Sequence, residues 1–116
     1  MRSTKDVIEN HIGRFRGGDL EGVLDDYSHE AMLFTPAGVL RGRSEIEALF
    51  KNLLAEFGKP GASDTVHTEV FEGEYAYLVW SAETADSYYE LATDTFLVRH
   101  GKIVMQSFAA KIKPKR

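Results

Sequence analysis

The stretch YAYLVWSAETADSYYELATDTFLVR, residues 75–99, is rich in aromatic and β-branched residues and is interrupted near its middle by an Ala-Asp turn signal. This composition predicts two strands, about 75–84 and 87–99, which a short turn makes antiparallel. Segments of the same composition lie on either side, at about 64–72 and 103–112, and a glycine separates each of them from the quoted stretch. We therefore expect the second half of the chain to form four antiparallel strands.

The first half of the chain has the spacing of three helices. Apolar residues recur every three or four positions from Val7 to Phe15, behind a Ser-Thr pair that can cap the helix. A second, short helix is predicted after Asp19, which is a good N-cap. The third helix is predicted to begin at the S-x-x-E capping box of Ser44 and to extend to Phe57.

A small hairpin separates the second and third predicted helices. Its strands are Ala31–Thr35, which Pro36 ends, and Val39–Arg41. The complete order is then α-α-β-β-α-β-β-β-β. Helices that come first and strands that come later are typical of an α+β fold and not of a parallel α/β sheet.

The strand at about 75–82 is apolar on both faces. Tyr75 and Tyr77 on one face alternate with Leu78 and Trp80 on the other. A strand with one face in water would alternate apolar and polar residues. We therefore expect helices and a cavity to cover one face, and a second copy of the chain to cover the other in a homodimer through the outer face of the sheet.

Length and composition limit the class of protein. With 116 residues, 43% of them hydrophobic and 28% charged, the chain is expected to form one globular domain, 1–116. The 14 Lys and Arg residues against 18 Asp and Glu give a formal net charge of −4, which argues against a nucleic-acid partner. The basic segment 111–116 is expected to be a frayed, solvated tail.

Several classes of site are missing from the sequence. It has no cysteine and no apolar run near the roughly 18 residues that span a bilayer, so we expect a cytoplasmic protein without a membrane partner. Glycine-rich nucleotide motifs and H-E-x-x-H are absent. The best-spaced pair of potential metal ligands, His67 and Glu69, does not make a metal site by itself. No cofactor and no metal are predicted.

Two parts of the chain resemble a known fold family. They are GDLEGVL at 18–24 with GRSEI at 42–46, and DTFLV at 94–98 with GKIV at 101–104. These segments are similar to the NTF2-like superfamily, most closely to the SnoaL-like polyketide cyclases and the ketosteroid isomerases. The resemblance implies a cone, in which a strongly curved antiparallel or mixed sheet wraps around three helices and leaves an internal cavity. Because this superfamily includes enzymes, binding proteins and subunits without chemistry, the resemblance predicts fold and not activity.

The resemblance also implies roles for particular residues. Asp94 falls where ketosteroid isomerase has a hydrogen-bond-donating Asp, Thr35 where it has the proton-shuttling carboxylate, and His11 where it has the oxyanion Tyr. A threonine hydroxyl cannot serve as a base at neutral pH, so steroid isomerisation is not predicted. If His11 and Asp94 both face the cavity, they form a His–carboxylate pair suited to acid–base catalysis. Alternatively, Asp94 is a structural carboxylate satisfied by His11, a hydroxyl or a backbone amide.

Strand parity and the family register extend the candidate site to a ligand-binding lining. Its members are mostly aromatic, and each aromatic residue is also explained as ordinary core. They are Phe15, Tyr27, Thr35, Phe50, Tyr77, Phe96, Gln106 and Phe108. Such a lining suits a small, flat or cyclic apolar ligand that carries one or two oxygens.

Two functions are consistent with these residues. The first is a SnoaL-like, cofactor-independent enzyme of isomerase, cyclase or lyase type, in which Asp94 and His11 perform acid–base chemistry on an apolar carbonyl or enol compound. The alternative is a non-catalytic module that binds a hydrophobic ligand or mediates dimerisation. Turnover that depends on Asp94 distinguishes the two.

Overall fold

The structure, a computed structural model, describes residues 2–116. Within that range three helices and six strands occur in the predicted order, so the α+β class is confirmed. The helices are α1 (Thr4–Arg16), α2 (Leu20–Asp25) and α3 (Gly42–Phe57). The strands are β1 (Tyr27–Thr35), β2 (Gly38–Arg41), β3 (Ser63–Glu72), β4 (Tyr75–Glu83), β5 (Ser87–Arg99) and β6 (Lys102–Pro114).

The six strands form one mixed sheet in the order β2-β1-β6-β5-β4-β3. All neighbours are antiparallel except β1 and β6, which are parallel. Register shifts interrupt β3 near His67, β4 near Ser81 and β5 near Glu90. Because a β-bulge bends its strand and increases the local twist, these irregularities help to curve the sheet into an open cone.

The start of α3 differs from the prediction. The helix begins at Gly42, and its N-cap is Arg41 without a side-chain hydrogen bond, so the capping box at Ser44 is wrong. Gly42 has φ 79°, a left-handed conformation that lets the chain turn directly from β2 into the helix. Glu45 takes over part of the capping role, since its Oε1 accepts a hydrogen bond from the Arg41 N–H at 2.7 Å.

The basic segment 111–116 is not a frayed tail over most of its length, which corrects the prediction. β6 pairs with β5 as far as Pro114, opposite Ser87. The Lys115 N–H then donates to the carbonyl oxygen of Asp86 at 2.9 Å. Its Nζ lies 2.7 Å from Glu83 Oε2. The long β5 strand offers backbone partners to these residues, and acidic neighbours offset their charge.

The two faces of β4 are the reverse of the predicted ones. Ala76 and Leu78 are buried, whereas Tyr75 and Tyr77 are 52% and 41% exposed. The prediction that Tyr77 lines the cavity is therefore wrong. Because side chains alternate along a strand, a register assigned one residue out of phase moves every side chain to the other face.

The helices pack on the inner face of the sheet. Buried apolar side chains from all three helices and from four strands form a single cluster, which includes Ile8, Ile46 and Phe96. At the far end of α3, Glu56 accepts hydrogen bonds from the hydroxyls of Thr84 and Tyr89, at 2.6 and 2.9 Å. No helix of the described residues is long and apolar enough to cross a membrane.

The outer face of the sheet carries an uncharged band. Cross-strand pairing places Val70, Tyr77, Thr95, Ser107 and Phe34 in one row across five strands. Three of these five residues are exposed large hydrophobic side chains. A band of this kind is unusual for a surface that remains in water.

Candidate active site

A cavity of about 120 Å³ lies between α1, α3 and the inner face of the sheet. An apolar protein cavity of about 150 Å³ holds a benzene molecule, so this space accommodates about one six-membered ring. Most of its lining is apolar. The polar members are His11, Asp94 and Gln106, together with Arg16 and Asp64.

Asp94 lies on β5 with its side chain inward, and it is 6% exposed. Trp80 Nε1 donates a hydrogen bond to one carboxyl oxygen at 2.7 Å, and Gln106 Nε2 donates to the other at 2.8 Å. Burial raises the pKa of Asp94 above its ordinary value, while these two hydrogen bonds and the charge of His11 act in the opposite direction. Asp94 is thus a buried carboxyl group with both oxygens held in position.

His11 lies on α1 and also lines the cavity, but it does not bond Asp94. Its Nδ1 is 2.9 Å from Asp26 Oδ2. Asp26 is fully buried between α2 and β1, and its other oxygen accepts from Arg14 Nη1 at 2.8 Å. The predicted direct pair of His11 with Asp94 is therefore wrong. A His–carboxylate pair is present, and its carboxylate is Asp26.

Tyr27 connects the two halves of the site from beneath the cavity. Its hydroxyl is 3.3 Å from His11 Nε2 and bonds Gln106 Oε1. The side chain is fully buried and is not part of the cavity lining, which corrects its predicted role as a ligand contact. Burial, and then the charges of Asp94 and Asp26, raise the pKa of Tyr27 well above its ordinary value, so the phenol remains neutral.

Of the seven other residues predicted to line the cavity, five do so. They are Phe15, Phe50, Phe96, Gln106 and Phe108. The remaining two, Thr35 and Tyr77, do not. Thr35 is the last residue of β1, because Pro36 ends the strand there, and its hydroxyl donates to the Gly38 carbonyl oxygen at 2.9 Å. Tyr77 lies on the outer face.

Three functional candidates are missed by the sequence analysis. Trp80, the sole tryptophan, is assigned to the inner face of β4 only once the parity of that strand is known. Local sequence does not distinguish Asp26 from any other acidic residue at the end of a helix. Asp64 begins β3 and holds Arg16 through both carboxyl oxygens, at 2.6 and 3.2 Å, beside the cavity.

Metal binding finds no support among residues 2–116, which contain no cluster of three or more His, Cys, Asp or Glu side chains placed to hold an ion. The potential pair of His67 and Glu69 does not gain a third ligand. His67 Nε2 instead lies 2.8 Å from the Ser81 hydroxyl on the neighbouring strand.

The raised pKa of Asp94 makes the stability of the protein depend on pH. Below the pKa of the unfolded chain, Asp94 is protonated in both states and its burial involves no charge. As the pH rises from there through the raised folded-state pKa, the stability contributed by the neutral form is lost. We therefore expect Asp94→Asn to be more stable than wild type near about pH 7 and to lose this advantage near about pH 4. Urea unfolding at both pH values measures the difference, and an equal advantage at both would contradict the expectation.

Two comparisons with known proteins concern family and fold. The family model described as "SnoaL-like domain" matches residues 8–106. No functionally curated protein matches the chain. Among solved structures, an NTF2-like protein of unknown function from Burkholderia xenovorans is similar at 21% identity and TM-score 0.72, over 93% of this chain and 82% of that one.

Two further solved structures carry functional descriptions. The epoxide hydrolase/cyclase-like enzyme SalBIII, described in connection with pyran ring formation in the polyether salinomycin, is similar at 14% identity and TM-score 0.80, over 93% of this chain and 90% of that one. A candidate ketosteroid isomerase from Kribbella flavida is similar at 14% identity and TM-score 0.76, over 93% and 77% of the two chains. At these identities the likeness concerns the cone fold, as the resemblance in sequence predicts.

Proposed function

The chain belongs to the SnoaL-like domain family, within the NTF2-like superfamily, and on this basis we propose that it is a small-molecule enzyme that performs acid–base chemistry on a cyclic carbonyl or enol compound. One observation carries the proposal. A carboxyl group, Asp94, borders an apolar cavity and has both oxygens oriented by Trp80 and Gln106. A buried acid with a perturbed pKa in a cleft is a common property of catalytic residues.

The chemistry follows from the two ionisable groups of the cavity. Neutral Asp94 donates a hydrogen bond to the carbonyl oxygen of the ligand. Nε2 of His11 is free to act as a base while the Tyr27 hydroxyl donates to Gln106. It accepts the proton of the α carbon, whose C–H bond breaks while a C=C bond forms, and Asp94 transfers its proton to the oxygen as the enol forms. The apolar walls strengthen these interactions because they lower the local dielectric constant.

The size of the cavity limits the ligand to about one ring. A volume of about 120 Å³ is too small for the four fused rings of a steroid. A second cleft of about 260 Å³ adjoins the cavity and shares Phe15, Arg16, Phe57 and Asp64 with it. A substituent on the ring can extend into this cleft, so the proposed substrates are monocyclic carbonyl compounds with room for a side chain.

Exchange of α protons with solvent tests the proposed function without a known substrate. The wild-type protein is incubated in D₂O with monocyclic ketones and enones such as cyclohexanone and 2-cyclohexenone, and with a four-ring steroid ketone as a size control. Ligand-detected NMR measures binding, and loss of the α-proton signal measures exchange. We expect monocyclic compounds to bind and to exchange faster than in buffer alone, and the steroid to do neither.

The outcomes separate the two candidate functions. Binding with no exchange above the buffer rate would replace the enzyme by the alternative, a non-catalytic module for hydrophobic ligands. The position of Thr35 favours that alternative in one respect, since Thr35 stands where ketosteroid isomerase has its base and lies at the end of β1, outside the cavity. Failure of every monocyclic compound to bind would contradict the enzyme and the ligand-binding module, and would leave a module that only mediates dimerisation.

We further propose that a second copy of the chain covers the uncharged band on the outer face of the sheet. The band defined by Val70, Tyr77, Thr95, Ser107 and Phe34 crosses five strands without a charged side chain. A two-fold symmetric contact of one sheet face with another buries such a band at little conformational cost. The convex outer face leaves the cavity on the inner side accessible in the dimer.

A charge in the middle of this band is expected to prevent dimerisation. Tyr77→Asp would place a carboxylate in the proposed interface, where desolvation and like-charge repulsion weaken association by about tenfold or more. Sedimentation velocity measures the monomer fraction. The control is Ala55→Asp, on α3 and away from the outer face of the sheet, which should leave the dimer intact. A wild-type protein that is monomeric at micromolar concentration would overturn the proposal.

A further inference from the structure

A continuous chain of hydrogen bonds runs beneath the cavity from His11 through Tyr27 and Gln106 to Asp94. Each end of the chain is a titratable group, and the two groups between them, a neutral phenol and an amide, keep a fixed number of protons. At the His11 end, Asp26 accepts from Nδ1. The number of protons that the chain can hold with every link made is therefore limited by hydrogen-bond direction.

In the first arrangement Asp94 is ionised. The Gln106 amide N–H donates to Asp94, and the amide oxygen accepts from the Tyr27 hydroxyl. The phenol has then used its hydrogen, so its oxygen must accept from Nε2 of His11. Because Nδ1 also donates its hydrogen to Asp26, His11 carries both protons and is a cation.

In the second arrangement the Gln106 amide is turned by half a rotation. Protonated Asp94 donates to the amide oxygen, the amide N–H donates to the Tyr27 oxygen, and the phenol donates to Nε2 of a neutral His11. Every link is again made. Oxygen and nitrogen of a glutamine amide occupy nearly the same positions after this rotation, so both arrangements fit one set of heavy-atom positions.

One proton count breaks a link. With no proton to share, two lone pairs face each other, either at Tyr27 and His11 or at Tyr27 and Gln106. An additional proton breaks none, because Asp94 protonated at Oδ2 still accepts from Gln106 at Oδ1 in the first arrangement. A mismatched pair leaves a buried polar group without a partner, which is costly.

We propose that Tyr27 and Gln106 are positioning residues that couple the protonation of Asp94 to that of His11, so that ionised Asp94 is accompanied by a proton on His11, and neutral His11 by a proton on Asp94. Loss of the proton from Asp94 turns the Gln106 amide and favours a proton on His11, and the reverse. The amide does not transport the proton, because each amide hydrogen stays on its nitrogen. The proposal concerns the residues of the proposed acid–base site, but its test uses no substrate, so either can fail alone.

The other charges near this chain are paired. Arg16 and Asp64, which line the same cavity, bond each other at 2.6 and 3.2 Å. Arg14 and Arg2 lie 2.8 and 3.7 Å from Asp26, and they offset the charge of that carboxylate at the His11 end. The rings that pack against His11 from α3 and β5 are Phe50 and Phe96, which are uncharged. On the Asp94 side, β4 contributes the neutral donor Trp80 and β6 contributes Gln106. The direct charge interaction between His11 and Asp94 is thus the main competing explanation for any coupling.

A double-variant cycle distinguishes the chain from this direct interaction. The titration of the His11 ring is followed by NMR in protein with ¹⁵N-labelled histidine, and its signal is assigned by its loss in His11→Gln. An asparagine side chain mimics the protonated acid, so Asp94→Asn is expected to lower the pH midpoint of the His11 titration by about one unit, a tenfold change in the ionisation constant. The same substitution is then made in a Tyr27→Phe background, which cuts the chain and leaves every charge in place.

The proposal requires that cutting the chain removes at least half of this shift. A full-sized shift in the Tyr27→Phe background would overturn it, since charge alone would then explain the coupling. The absence of a shift in the otherwise wild-type protein would overturn it as well. Gln106→Met cuts the same chain at its other link and provides the background if Tyr27→Phe fails to fold.

Discussion

Replacing Asp26 with alanine is expected to lower the free energy of unfolding by about 3–5 kcal/mol. Asp26 is fully buried and accepts hydrogen bonds from Arg14 at 2.8 Å and from His11 at 2.9 Å. Its removal leaves the buried ring of His11 without a charged partner. It also leaves the half-buried positive charge of Arg14 with only the exposed carboxylate of Asp25, 4.0 Å away.

The neighbouring residue supplies the control for this expectation. Asp25 is 61% exposed, and its closest cationic groups, on Lys102 and Arg14, are 3.6 and 4.0 Å away. Asp25→Ala is therefore expected to change stability by only about 0.5 kcal/mol. Urea unfolding of the two variants measures both values. Equal losses would show that the buried ion pair has no special part in holding α1 against β1.

Asp94→Asn is expected to lower the rate of α-proton exchange by about 10²–10⁴-fold while a monocyclic ketone still binds. Asparagine keeps the shape of the side chain and can accept a hydrogen bond from Trp80, but it cannot transfer a proton to the ligand. The affinity is expected to change little, because most of the contact with the ring comes from apolar walls.

Asp64→Asn is the matched control, because Asp64 is the other carboxylate in the lining. It is more exposed than Asp94 and is occupied by its bidentate contact with Arg16. This variant is expected to retain the exchange rate within about tenfold of wild type. If Asp94→Asn retained full exchange, or if Asp64→Asn lost as much, Asp94 would not be the catalytic acid.

The order of the elements can be predicted from the sequence because each helix and strand has its own periodicity and its own turn residues. The faces of β4 cannot. Tyr75 and Tyr77 are as apolar as Leu78 and Trp80, so alternation does not distinguish the two sides. Bulges such as the one near Ser81 also shift the register within a strand, and no residue pattern marks them.

The candidate site is predictable at Asp94 and Gln106, where strand parity agrees with the family register, and less so at the His11 end. Asp25 and Asp26 are adjacent acidic residues at the end of α2, and local sequence treats them alike. Tertiary contacts distinguish them. The N–H of Ile103, on β6, donates to the carbonyl oxygen of Asp26 at 2.7 Å and fixes the backbone of that residue next to β6. Such a long-range contact leaves no local signal.

The parallel pairing of β1 with β6 also has a kinetic consequence. It joins segments far apart in the chain, and the Tyr27–Gln106 hydrogen bond spans 79 positions. The antiparallel strands β3 to β6 are connected by short turns and can associate early, whereas β1 must wait for the last strand to be synthesised. We therefore expect folding to be slow. We also expect it to pass through a species in which one edge of β6 is unpaired and the aromatic side chains of the cavity are exposed to solvent. That species would be the one most prone to aggregation, and the acid–base site would be assembled only when it disappears.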